Sequence, residues 1–513
     1  VLAAVSSVVL LLALLIWGVV SVVQWSRAPT VLDKTPVAEK VTTQDLPLAE
    51  DGTVDYLAAF NAEFGEGATP ENNAAVLVLE AFGSHLWADE REEEAAMLMA
   101  GTCAALGVPA GDPLPDRWVS LEEFVESGRA GELAGGPIPE GLELDRLLWD
   151  RGTQPWRADA HPIIAAWLAE NGESLDLLVG ASKRERWFWP AVGEPGPMAL
   201  TAMDNVALSP LREAAHALAA RATRRLMAGQ AAAACGDALA LRRLGRLIRS
   251  HDGFMIGRLV GAALENYAGD VDMAIASEPA VPAAPKRELA TAILALPQSQ
   301  DHYRIWDKTE RWTMHGALSG MLQYEMKLTP SRQDLAIGEE VIDGWYDRLV
   351  GAGRLESWAE RSAALRVIEA ETEALEEELE SPSALPKMLA SDDDPREMTF
   401  RLAGLTCWLL LCPALERYYA EQLAATQRGD INALALLLSV YRSENGDYPD
   451  ALSGLVPGLL DEVPSDRFTE GDLVYRRTAD GYVLYSRGPN MTDDGGPHED
   501  RDVSDDIGVI VPP

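Results

Sequence analysis

Tyr441-Arg442-Ser443-Glu444-Asn445-Gly446-Asp447-Tyr448-Pro449 closes an apolar helical stretch near the end of this 513-residue chain. Upstream of it, Ile431, Leu434, Ala435, Leu438 and Tyr441 recur at helical spacing, and Asn445-Gly446 supplies a left-handed stop. Downstream, Leu473 to Arg477 and Tyr482 to Ser486 alternate apolar and polar around Ala479-Asp480-Gly481, the pattern of a β-hairpin. Ser486-Arg487-Gly488-Pro489-Asn490 then leads into an aspartate-rich tail. A small helix-on-sheet unit is expected at the carboxyl end.

Elsewhere the patterning is helical. Pro70-Glu71 is expected to open a helix running through Val76, Leu79 and Phe82 to a stop at Gly83. Ser120-Leu121-Glu122-Glu123 spells a capping box, and Gly131 to Gly141 reads as a loop. Ser209-Pro210 is expected to cap a helix whose Leu211, Leu218, Ala222 and Leu226 share a face, with Gly229 ending it before a second helix from Gln230 to Ser250. Glutamates from Glu369 to Glu380 mark a solvated helix face, and Leu409-Leu410-Leu411, broken by Pro413, reads as a buried core helix too short to span a bilayer. A fixed repeat period is lacking, which favours an irregular helical body over a solenoid.

Composition limits the function classes. With 81 acidic against 43 basic side chains the formal charge is -38, which repels nucleic acid and anionic headgroups over about 8 Å at physiological salt. The 47% hydrophobic content suits a buried core. Val1 to Val23 is apolar except for serines, and 23 residues at about 1.5 Å each reach roughly 35 Å, enough to cross a hydrocarbon core of about 30 Å. A transmembrane anchor is expected over 1–24, then a proline-containing stalk over 25–50, a helical domain over 51–398 and an α+β domain over 399–513. Arg27, Lys34 and Lys40 after the span, taken alone, favour the opposite orientation. Cys103, Cys235, Cys407 and Cys412 form no Cys-x-x-Cys pair and have no histidine at ligand spacing, which argues against a zinc site; buried free thiols are expected ahead of a disulfide, for which three pairings are open.

The tail from Asp493 to Asp506 gathers Asp493, Asp494, Glu499, Asp500, Asp502, Asp505 and Asp506 against Arg501 alone. Carboxylates about 4 Å apart repel by roughly 1 kcal/mol in water. Such a loop stays open or collects a cation, and hard oxygens beside Gly495 and Gly496 suit calcium. The helix, hairpin and acidic tail, in that order, resemble the globular half of the major pseudopilin of type II secretion systems. That resemblance implies an extracytoplasmic setting and a calcium loop, with Asn490, Asp493, Asp494, Asp505 and Asp506 the best-matched ligand positions. Asn490 stands where that family usually has aspartate, and Pro497 to Ser504 looks inserted. Thr69-Pro70-Glu71-Asn72-Asn73-Ala74-Ala75, Trp167-Leu168-Ala169-Glu170-Asn171-Gly172-Glu173-Ser174-Leu175 and Leu241-Arg242-Arg243-Leu244-Gly245-Arg246-Leu247 resemble a group of bacterial membrane-anchored proteins with no established activity.

Motifs for hydrolysis and phosphate binding fail: there is no His-Glu-x-x-His, Gly-x-Ser-x-Gly or phosphate loop. Glu213-Ala214-Ala215-His216 matches Glu-x-x-His, but with 7 histidines and 81 acids about one such match is expected by chance. His251-Asp252 and Asp301-His302 read as surface or loop histidines beside acids. Arg221, Arg224, Arg225, Arg242, Arg243, Arg246 and Arg249 either face acidic helices of the same body or await an anion. Trp187-Phe188-Trp189 lids a core or stacks on a sugar or peptide. The expectation is therefore a mainly α, single-pass inner-membrane protein with its bulk outside the cytoplasm, serving a structural or interaction role with envelope or secretion proteins. The alternatives are a glycan-acting or other hydrolase in the helical domain, and an accessory component docking with a secretion pseudopilus.

Overall fold

The computed structural model describes residues 46–49, 54–88, 90–109, 117–134, 144–196, 198–200, 206–298, 302–381, 394–411, 414–479, 481–498 and 503–511. The expected membrane span, nearly all of the stalk, and Cys412 lie outside these residues. The fold is mainly α, with one small antiparallel sheet near the carboxyl end. Two compact units interleave along the chain: one combines 1–63, 191–204 and 301–419, the other 64–190, 205–300 and 420–513.

In the first unit the helices Tyr303–Asp307, Thr309–Gly320, Arg332–Gly353, Trp358–Glu380 and Pro395–Leu411 pack around Trp306, Leu318, Ile342, Leu365 and Trp408, all buried. Gly338 and Gly404 let two of these helices touch, since a Cβ on Gly404 would lie 2.4 Å from the Gly338 carbonyl. Arg311, almost wholly buried, collects Asp307, Asp343 and Asp347 from two helices, and His315 Nε2 lies 3.0 Å from Asp343. The glutamates of Trp358–Glu380 are largely exposed, as their spacing predicts.

The second unit is built on Leu208–Met227, Ala231–His251 and Met255–Ser277. Leu211, Leu218, Ala222 and Leu226 are buried together, and Gly229, at φ +74°, turns the chain into the next helix. The next turn is fixed by Asp252, whose carboxylate accepts from Phe254 N at 2.9 Å and from Trp187 Nε1 at 2.9 Å. Gly245 and Gly261 face each other across the following pair of helices: a Cβ on Gly261 would stand 2.6 Å from both Gly245 O and Arg249 N. Backbone cannot yield as a flexible side chain does. Gly261→Ala is therefore expected to cost about 1–3 kcal/mol, read from urea unfolding of the second unit.

A buried ionic ladder runs across these three helices. Arg221 forks onto Asp237 at 3.1 and 2.8 Å, Arg225 meets Asp237 at 2.6 Å, Arg242 pairs with Asp272, and Arg246 grips Glu265 with two bonds of 2.9 and 2.8 Å. Arg249 Nε closes on the same Glu265 at 2.8 Å. Of the two readings of the arginine-rich stretch, the pairing with acidic helices of the same body is the one found for these residues. Trp187, Phe188 and Trp189 are 1%, 8% and 6% exposed, so they lid the core and offer no stacking face.

Several local readings shift. The first helix of this unit begins at Ala74, four residues after Pro70, because Asn73 supplies the cap by accepting from Ala75 N at 3.1 Å. Ser209-Pro210 lies inside the first turn of Leu208–Met227 and does not cap it. Residues 131–134 belong to the helix Arg129–Ala134, where full burial of Ala130 outweighs the low propensity of Gly131. The capping box at Ser120 and Glu123 forms as spelled. Cys103, Cys235 and Cys407 are buried free thiols.

The last long helix, Leu415–Asn445, is buried on every side from Ala433 to Leu438. By length and composition Pro395–Asn445 passes as a membrane span, yet 60% of its most apolar window is buried inside the protein, as in a core helix. Beyond Gly446, at φ +85°, strand β1 (Val474–Arg477) pairs antiparallel with β2 (Tyr482–Ser486), register Val474 to Tyr485 and Arg477 to Tyr482. The hairpin thus forms where the alternation places it. A third strand, β3 (Ile507–Val511), pairs antiparallel with β2, register Ser486 to Ile507 and Tyr482 to Val511, giving the order β1-β2-β3.

Candidate functional site

The acidic tail folds back over the end of β2 because β3 must return beside it. Asp466, fully buried, pins the start of that turn by accepting from Ser486 Oγ at 2.8 Å and Arg487 N at 2.9 Å. The preceding loop is anchored to the long helix by Arg467, which donates to Asp430 Oδ2 at 2.6 Å. Gly488 then takes φ +62°, and a Cβ there would fall 2.1 Å from the Asp505 carbonyl. The two limbs of the loop, 488–496 and 503–506, are held as neighbours.

Within this fold-back Asp494, Asp505 and Asp506 converge, each offering a carboxylate oxygen within 4.8 Å of the others. Asp506 is 6% exposed; its Oδ2 accepts from Gly496 N at 2.8 Å, while its Oδ1 is buried without a hydrogen-bond partner. Asp505 repeats the pattern, with Oδ2 accepting from Asn490 N at 2.9 Å and a buried, unpartnered Oδ1. Burial pushes both carboxyl groups above their ordinary range, and the neighbouring acids push the same way. An orphaned buried carboxylate oxygen costs free energy unless a cation or proton meets it.

Of the other two expected ligands, Asp493 sits outside this convergence and Asn490 touches it. Asp493 accepts from Tyr485 OH at 2.7 Å and from Gly495 N at 3.0 Å, and the tyrosine bond holds its carboxyl below the usual range. Asn490 turns its amide nitrogen, not its oxygen, toward Asp494 Oδ2 at 3.0 Å. Both shape the loop that carries the three acids. Arg476 adds to that frame by donating to Gly495 O at 3.0 Å. Glu499, Asp500 and Asp502 lie outside the described residues.

The candidate residues of the helical part serve the fold. Glu213 accepts from Trp118 Nε1 at 2.9 Å and Leu121 N at 2.8 Å, which tie two segments together. His216 packs edge-on against Tyr267, ring centroids 4.4 Å apart. Asp252 is consumed by its cap and by Trp187. Among the described residues the tail holds the one cluster of three or more acid, histidine or cysteine ligands.

Sequence reasoning missed β3 and Asp466. Ile507-Gly508-Val509-Ile510-Val511 is a plain β-branched run whose strand signal stands directly behind the aspartates that draw the calcium expectation. Asp466 carries no local signal at all. No protein-family model, curated protein or solved structure matches this chain.

Proposed function

We propose that this chain is a membrane-anchored, extracytoplasmic interaction protein whose carboxyl-terminal sheet is clasped by a calcium ion, with Asp494, Asp505 and Asp506 as ligands. The observation that carries the ion is the nine-tenths-buried Asp506, with an unpartnered oxygen inside a convergence of three carboxylates. Calcium accepts six to eight hard oxygens in loose geometry, which this carboxylate set and its water-accessible rim at Asp494 suit. Support for the setting comes from the apolar stretch Val1 to Val23 and from the pseudopilin-like order of helix, hairpin and acidic loop. The domain follows a long helical body, so an envelope or secretion protein as partner fits better than a role as filament subunit. No catalytic residue is assigned.

The test is thermal unfolding of the full chain with calcium and with a chelator. Extracellular calcium modules bind with dissociation constants of about 0.1 to 1 mM, and an ion at 100 times that constant stabilises by about 2.7 kcal/mol. A calcium-dependent rise in melting temperature is expected; identical melting in both conditions sinks the proposal. The pH dependence has a definite sign. Since Asp505 and Asp506 have raised folded-state pKa values, protons stabilise the ion-free loop, and its stability falls as pH rises from the ordinary 3.8 through the raised values. Calcium competes with those protons. Its stabilising effect should be full at pH 7, shrink as pH falls through the raised values, and be gone below the ordinary carboxylate value.

A further inference from the structure

A cleft of about 450 Å³ opens beside the three acids, walled on one side by the helices Met255–Ser277 and Leu415–Asn445 and on the other by the tail. Ile507, Gly508 and Val509 all border it. Ile507 and Val509 share one face of the strand, and Gly508, having no side chain, presents its backbone to the same cleft. β3 is the last strand of the order β1-β2-β3, and among the described residues its outer edge pairs with nothing. An edge of this kind presents unpaired N–H and C=O groups to whatever enters.

The opposite wall selects by charge. Asp270 lines the cleft and accepts no hydrogen bond among the described residues; its burial and the nearby Asp272 push it up to about 6. Glu421 adds a second carboxylate, 3.6 Å from Arg428, the one arginine or lysine in the lining. Trp149, 42% exposed, stands at the same cleft with its ring braced edge-on by Tyr267, centroids 5.3 Å apart. A braced aromatic face beside the carboxylate of Asp270 is an arrangement that receives a guanidinium or ammonium group.

We propose that this cleft binds an extended basic segment of a partner protein, which adds to β3 as a fourth strand and places an arginine or lysine between Asp270 and Trp149. Backbone pairing supplies affinity and the acidic wall supplies selection. The inference rests on the calcium reading only in that the ion would fix Asp505 and Asp506 immediately before β3, setting where the edge begins.

The experiment uses the full chain and three end-blocked, fluorescein-labelled octapeptides: alternating valine and arginine, alternating valine and glutamate, and the arginine peptide N-methylated on alternate residues so that one edge cannot pair. Anisotropy is read in calcium and in chelator, with hydrogen exchange of 507–511 followed in parallel. The arginine peptide should bind and slow exchange in β3 by about tenfold or more. The glutamate and N-methylated peptides should not bind, and Asp270→Asn should weaken the arginine peptide about tenfold. Equal binding of the glutamate peptide overturns the charge selection; equal binding of the N-methylated peptide, or protection elsewhere, overturns the strand pairing. A dimer of the chain that the peptide does not dissociate assigns the edge to a second copy and overturns the basic partner. A calcium-induced melting shift without peptide binding defeats this inference alone, whereas peptide binding at β3 without any calcium shift defeats the ion and leaves the docked strand.

Discussion

Glu265→Leu is expected to destabilise the second unit by about 3–5 kcal/mol, the typical cost of removing one partner from a buried ion pair. Glu265 is 1% exposed and is shared by Arg246 and Arg249, so its loss removes the counter-charge of two buried guanidiniums and leaves them only carbonyl and hydroxyl acceptors. Burial alone would raise its pKa; Arg249 and Arg246 together reverse that and hold it below the usual range. A lowered carboxylate pKa contributes stability that is present above the unfolded value and is lost as pH falls through the folded one. The wild-type chain should therefore lose part of its stability on acidification below about pH 4.5, and the leucine variant should show a flatter acid limb. Urea unfolding across pH measures both, and a variant within 1 kcal/mol of wild type would mean that the ladder is held mainly by its surroundings.

Asp506→Asn should act with two opposite signs. The neutral amide keeps an oxygen for Gly496 N and relieves repulsion with Asp494 and Asp505, so the chelated protein should melt at or above the wild-type temperature. Calcium affinity should fall by at least about 100-fold, or roughly 2.7 kcal/mol, because a charged ligand is lost from a set of three. Asp493→Asn is the internal comparison: Asp493 is held by Tyr485 outside the convergence, and its neutralisation should weaken calcium far less. Isothermal titration of the two variants separates them. Equal losses would move the ion toward Asp493 and away from the buried Asp506.

What could be read from the chain alone follows from how local each cause is. The hairpin was legible because alternation and a tight turn are properties of adjacent residues, and Leu211, Leu218, Ala222 and Leu226 announced their face by spacing. The stripe on the last helix was only half the account, since Ala433, Leu436 and Leu437 are as buried as Leu434 and Leu438; a helix enclosed on all sides loses its polar face and with it the signal. At the tail, composition pointed to the loop, but the choice among its acids depends on non-local contacts. Tyr485 removes Asp493 from the convergence, and the pairing of Ser486 with Ile507 brings Asp505 and Asp506 to Asp494. Asp466 and the facing pair Gly245 and Gly261 are legible only once their neighbours are known.

The fully buried guanidinium of Arg249 also bonds forward in the chain, to Gln422 O and, at 2.8 Å, to Thr426 Oγ1. Those acceptors emerge from the ribosome long after Arg249 itself, with the whole 301–419 segment made in between. Until they arrive, a cation and its helix have no finished interior to enter, and domains made of such distant pieces close late and slowly. Translation must therefore pass Thr426 before this region can lock, and the polypeptide made up to that point stays loose until then.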